Sequence, residues 1–198
     1  MLSEIVSENE RTEQQMSAIN EFELKILDFI QEKLSCGALD FIMPKLSFLG
    51  KAGLIWIAVA IVMIISRKYR RNGIELAAAL TGCLLVGNII LKNLVARARP
   101  CWINDTVNML VSIPKDYSFP SGHTMTAFAA AAVITCANKK LGIAAYILAV
   151  CLAFSRMYLY VHFPTDILAG AVIGTIIGFA VCFFSKKFFP PKNSINEQ

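Results

Sequence analysis

The stretch TDILAGAVIGTIIGFAVCFF, Thr165–Phe184, decides the fold. Beyond Asp166 it is apolar and nearly long enough for the ~20 residues a membrane-spanning helix needs. Gly170, Gly174 and Gly178 recur at four-residue spacing. That small-residue stripe lets another helix approach closely. Working outward, further apolar segments run over 52–66, 74–91, 121–137 and 141–157, and the third of these carries an alanine-rich stretch at 127–132. Several fall short of a full span unless their flanks extend them.

Composition agrees. The chain has 198 residues and is 56% hydrophobic, which suits a bundle in a bilayer better than a soluble domain. The expected fold is an all-α integral membrane helical bundle with five or six transmembrane helices. The sixth would be a weakly apolar span through 22–45. Residues 1–20 form a polar, acidic tail with no apolar core of a signal peptide. Residues 21–36 place Phe22, Ile26, Ile30 and Leu34 on one helical face, so an amphipathic helix is expected there. Glu21, Glu23, Lys25, Asp28, Glu32 and Lys33 look too costly to bury, which would lay this helix on the membrane surface. Residues 37–50 read as irregular, broken by Pro44 and Gly50. Residues 51–187 form the transmembrane domain, and 188–198 a polar tail.

The net charge of +5 sits in short loops between apolar runs, a poor pattern for nucleic acid. The six cysteines show no CxxC pair and no metal-ligand spacing. Successive spans reverse direction. Lys92–Pro100, Pro120–His123, Arg156–His162 and Asp166 therefore emerge on one side. The other side receives Arg67, Lys68, Arg70, Arg71, Lys139, Lys140, Lys186, Lys187 and Lys192. Lysine- and arginine-rich short loops mark the cytoplasm, so the first group is expected to face outward.

That group contains both histidines of the chain, His123 and His162. Histidine is the side chain best suited to moving protons near neutral pH. Around the two lie Lys92, Arg97, Arg99, Ser121, Gly122, Arg156 and Asp166. Phosphoryl transfer needs positioned positive charge. Lys92, Arg99 and Arg156 can supply it, and arginine's planar fork meets two oxygens at once. Ser121 and Gly122 open a helix whose free N–H groups favour an anion, and Gly122 lets backbone come close. Pro164 fits the first turn of the last helix.

The spacing is specific. KNLVARARP (Lys92–Pro100), FPSGHT (Phe119–Thr124) and SRMYLYVHFPTD (Ser155–Asp166) resemble the three ordered motifs of the type 2 phosphatidic acid phosphatase superfamily. The resemblance implies a metal-independent lipid phosphatase without cofactor, acting on a membrane lipid phosphate in the bilayer and not on nucleic acid. His162 would attack phosphorus and become a phosphohistidine, Asp166 would orient it, and His123 would protonate the leaving oxygen. Lys92, Arg99, Ser121, Gly122 and Arg156 would bind phosphate. Undecaprenyl diphosphate is the first substrate expectation, with phosphatidylglycerophosphate or phosphatidic acid as the alternative.

Arg97 is no motif position; a second phosphate and plain solvation of the boundary stand as equal readings. Snorkelling is the bland alternative for Lys92 and Arg99, and a helix-start carboxylate for Asp166. Trp102, Tyr117, Tyr158 and Tyr160 read as an interfacial aromatic belt. Two working histidines predict a bell-shaped rate profile with limbs either side of roughly pH 6.5. A lipid or anion transporter, with its cations along a pathway, is the reading from another class. A vanadate-holding haloperoxidase shares the pocket, but the apolar spans oppose it.

Overall fold

The computed structural model describes residues 19–188, so most of both polar tails lies outside the described residues. Nine α-helices occur in them. They are α1 (19–34), α2 (Gly37–Leu49), α3 (Leu54–Ile65), α4 (Arg70–Cys83), α5 (Lys92–Val95), α6 (Pro100–Ile103), α7 (Gly122–Ala137), α8 (Lys139–Tyr158) and α9 (Pro164–Phe188). A 3₁₀ turn, Lys51–Gly53, precedes α3, and a π-helical stretch, Leu84–Leu91, carries α4 on into α5. Each of the five apolar segments is helical, and no strand occurs among the described residues. Arg70–Ile103, Lys139–Tyr158 and Pro164–Phe188 are long and apolar enough to cross a membrane. Gly37–Leu49 and Lys51–Ile65, bent by 43°, together form a fourth candidate.

At 16 residues, α7 is about 24 Å long, short of a ~30 Å hydrocarbon core. It sits at the centre, packed on α8, α9 and α4, and Ala127, Ala129–Ala132 and Val133 are fully buried. The glycine stripe explains its tight seat. A methyl group on Gly170 would lie 2.8 Å from the Ser121 carbonyl, one on Gly174 2.2 Å from that of Met125, and one on Gly178 2.6 Å from that of Ala129. All three obstacles are backbone, which cannot swing away. Gly174→Ala is therefore expected to lower stability by about 1–3 kcal/mol, read as a fall in the thermal midpoint in detergent. An unchanged midpoint would show that the stripe does not set the α7–α9 spacing.

Outward faces carry Val62, Ile143, Ile147, Val172, Ile176 and Phe183, all exposed, as a lipid-facing surface requires. At the end opposite the motifs, Arg71 donates to Glu75 at 3.0 Å and to Ser185 at 3.2 Å, tying α4 to α9.

Two N-terminal expectations change. Residues 37–49 are a continuous helix with Pro44 inside it, because packing on α8 outweighs the one lost backbone bond. The break falls at Gly50 and the left-handed Ala52 and Gly53 (φ 51° and 70°). The helix α1 does not simply lie on a membrane surface. Leu27 and Ile30 are buried against Tyr158, Tyr160 and Phe163. Glu23 is only 3% exposed. Its carboxylate is paired, which removes the penalty that argued against burial.

Candidate active site

Three chain segments meet at one end of the bundle. The turn between α8 and α9 carries His162 and is held by its own strained backbone: Tyr160 has φ 58°, left-handed for a side-chain-bearing residue. Tyr160 donates its hydroxyl to Asp28 of α1 at 2.7 Å, and Tyr158 donates to Asp40 of α2 at 2.5 Å. Both tyrosines are fully buried, so they brace this turn instead of joining an interfacial belt. Trp102 and Tyr117 are partly exposed, as a belt would require.

His162 is 1% exposed, with its two ring nitrogens in different company. Nδ1 lies 3.5 Å from Asp166 Oδ2 and 3.4 Å from Ser118 Oγ. Nε2 lies 3.1 Å from Arg99 Nη1. An arginine N–H can only donate, so Nε2 is the unprotonated nitrogen and Nδ1 carries the proton toward Asp166. Asp166 is itself fully fixed. Its carboxylate accepts from the Phe163 N–H at 2.9 Å, from Arg97 Nη1 at 2.8 Å and from the Ser118 hydroxyl. The result is an imidazole with its tautomer set and its Nε2 lone pair directed at the arginine.

The ring opens on a cavity of about 760 Å³, also lined by Lys92, Arg99, Asp116, Gly122, His123 and Arg156. Arg99 is anchored on backbone, donating to the Val161 carbonyl at 2.7 Å and to the Asp116 carbonyl at 2.6 Å. Lys92, the first residue of α5, follows the π-helical stretch and pairs with Asp116. Arg156 donates through Nη1 to Ser47 of α2, while its buried Nε has no partner among the described residues. An unpaired buried donor carries a desolvation cost that an incoming anion removes. Gly122 and His123 begin α7, where the first N–H groups lack intrahelical partners. The His123 ring packs on Gly50, whose missing Cβ would come within 2.9 Å of the ring.

Two expected phosphate contacts lie elsewhere. Ser121 is fully buried and outside the cavity lining; its hydroxyl accepts from Thr124 at 3.0 Å and its N–H donates to the Asp166 carbonyl at 3.1 Å. It joins α7 to α9 behind the site. Arg97 also lies outside the lining. It bonds Asp166, Thr165 (2.7 Å), Asn20 (2.6 Å) and Glu23, and stacks 4.0 Å from the centre of the Phe163 ring. Every strong contact of its guanidinium is internal, so neither the second-phosphate nor the boundary reading describes its place here.

Residues 72–190 match the family model described as the PAP2 superfamily. The chain belongs to the PAP2 superfamily. An undecaprenyl-diphosphatase of Sulfolobus acidocaldarius is 33% identical over 67% of this chain, and the match spans 65% of that relative's length. LpxE of Aquifex aeolicus superposes with a TM-score of 0.71 at 28% identity, covering 81% of this chain and 94% of the other. A transmembrane PAP2-type phosphatidylglycerolphosphate phosphatase from Bacillus subtilis gives 0.68 at 28% identity and covers 87% of each chain.

Within this PAP2 chain, burial alters one electrostatic expectation. Burial is the largest influence on His162 and lowers its pKa; Asp166 opposes it, Arg99 and Arg156 add to it, and the ring ends at about 3. The ring is therefore neutral in the neutral pH range. An acid limb from its protonation belongs well below 6.5. Any limb of kcat/KM near pH 6 should track the second ionisation of the substrate phosphate, ~6, and shift between substrates that differ in it. A limb fixed at 6.5 for two such substrates would return the titration to His162.

Proposed function

We propose that this protein is a membrane phosphatase that hydrolyses a lipid phosphate or diphosphate through a phosphohistidine. The observation that carries this reading is the neutral Nε2 of His162 facing Arg99 in a cavity that Lys92, Arg156 and the start of α7 also border. In the first step the Nε2 lone pair forms a bond to phosphorus and the bond to the leaving oxygen breaks. His123, lining the same cavity and protonated as the phosphate's negative charge enters beside it, gives that oxygen a proton. In the second step His123 takes a proton from water as its oxygen attacks the phosphohistidine, releasing phosphate and restoring His162. Asp166 stabilises the positive ring between the steps. Lys92, Arg99 and Arg156 stabilise charge on the phosphoryl oxygens, the task a metal performs elsewhere. Hydrolysis is therefore expected to persist in EDTA. A strict need for added Mg²⁺ would overturn that assignment.

The tail has a place as well. Away from the histidines the cavity continues along Phe48, Ile57, Ile61 and Ile64 on one side and Ala77, Leu80 and Leu84 on the other. An apolar groove between α3 and α4 fits a long hydrocarbon chain, with its headgroup at the cations. Undecaprenyl diphosphate is the substrate favoured, in keeping with the Sulfolobus relative. Phosphatidylglycerophosphate is the second reading, favoured by the Bacillus structure. The basic residues at the far end of the bundle support an outward-facing site in a multi-pass protein of the cell membrane. The deciding experiment assays purified protein on undecaprenyl diphosphate, phosphatidylglycerophosphate, phosphatidic acid and a soluble phosphate. Release from the first at the highest kcat/KM is expected. No release from any would leave the transporter reading standing.

A further inference from the structure

The cations assigned to phosphate are not empty-handed. Asp116, in the loop between α6 and α7, reaches into the cavity and bridges two of them. Its Oδ1 accepts from Arg99 Nη2 at 2.8 Å and its Oδ2 pairs with Lys92. Burial alone would raise its pKa, but Lys92 and Arg99 override that and hold the carboxyl down to about 2, so it is an anion throughout the working range. Yet its side chain is 56% exposed. That separates it from Asp166, which is wholly enclosed. Asp116 also borders a second, smaller cavity of about 420 Å³ lined by Asn88, Asn93, Trp102, Lys115 and Tyr117. A displaced carboxylate has polar space next door.

We propose that Asp116 is a specificity-determining residue: it occupies Lys92 and Arg99 until a terminal phosphoryl group displaces it, and so excludes the phosphodiester headgroups of the surrounding bilayer. The argument is one of charge and tethering, and it rests on the phosphate-site reading above. A phosphodiester is a monoanion with two free oxygens, the same as a carboxylate. Asp116 is tethered, so its effective concentration at the cations is millimolar or higher and the diester gains nothing by replacing it. A terminal phosphate carries a charge approaching −2 and three free oxygens. It can hold Lys92 and Arg99 and still reach Arg156 and the first N–H groups of α7. Without such a competitor, cations at headgroup depth would be titrated by bulk phospholipid.

The test is equilibrium binding of radiolabelled inorganic phosphate to the full chain in detergent micelles, with dioleoyl-phosphatidylglycerol as competitor. Asp116→Asn should bind phosphate about tenfold more tightly, since a like charge beside the ligand is gone, and phosphatidylglycerol should now compete. Asp116→Glu, which keeps the carboxylate, should behave as wild type. Asp116→Ala repeats the test should the amide find new partners, and thermal midpoints confirm that each variant is folded. Phosphate binding in both Asn and Ala variants no tighter than wild type overturns the proposal, as does phosphatidylglycerol competing equally well against wild type. If neither wild type nor Asp116→Asn binds phosphate, and Arg99→Ala changes nothing, the phosphate-site reading itself fails and the proposal falls with it.

Discussion

His162→Ala will abolish phosphate release, with kcat falling at least about 10³-fold, while the protein remains folded. The size follows from the role. The proposed covalent nucleophile has no understudy in this cavity: His123 is the other histidine of the chain, and the remaining polar side chains are cations, Asp116, Asn88 and the hydroxyls of Ser47, Thr81, Ser112 and Thr126, none of which, among the described residues, bonds a histidine ring or carboxylate that could activate it. Loss of a nucleophile leaves only what binding and electrostatics supply. The fold should survive because Asp166 keeps Arg97, Ser118 and the Phe163 N–H, and Arg99 keeps the Val161 carbonyl. The vacated space adjoins an open cavity, which water can fill, so the cost should stay near 1–2 kcal/mol. The same variant should also fail to trap labelled phosphate on the protein during turnover. Activity within tenfold of wild type would remove His162 from the covalent role.

The sequence exposes what local rules govern. The five apolar segments were legible because burial in lipid demands long uncharged helices, and the Gly170–Gly178 stripe because close packing demands small residues at helical spacing. The histidine and arginine positions were legible because the motif spacing is dense and ordered. What stayed hidden depends on partners distant in sequence. Glu23 reads as a surface residue until Arg97, 74 positions away, is found beside it. Tyr158 and Tyr160 read as interfacial until Asp40 and Asp28 receive their hydroxyls, 118 and 132 positions away. Ser118 and Asp116 sit in a loop with no periodicity to mark them, and Ser121 has a motif position but a buried, structural hydroxyl. No spacing rule carries any of these.

Arg97 is where such hidden coupling should have its largest consequence. It stands between two buried carboxylates, Glu23 and Asp166, the second of which lies beside His162 Nδ1 and is proposed to orient that ring. Removing one partner of a buried pair leaves uncompensated charge, typically at a cost of 3–5 kcal/mol. Arg97→Ala strands two acids together, so a loss of about that size is expected, read by thermal or denaturant unfolding in detergent. Asp166 should then take up a proton or shift, and the Nδ1 side of His162 loses its fixed partner. The expected kinetic result is kcat lower by about 10²-fold with KM nearly unchanged, because Arg97 does not line the cavity. Glu23→Gln provides the contrast: it removes one acid but leaves the Arg97–Asp166 bond, so it should loosen α1 while kcat falls much less. The split between KM and kcat also decides among the roles open to this residue. A second-phosphate contact would raise KM for a diphosphate substrate and spare a monophosphate. Were Arg97→Ala to do that with kcat intact, its working position would be in the cavity, and the bond to Asp166 would be one it gives up when substrate arrives.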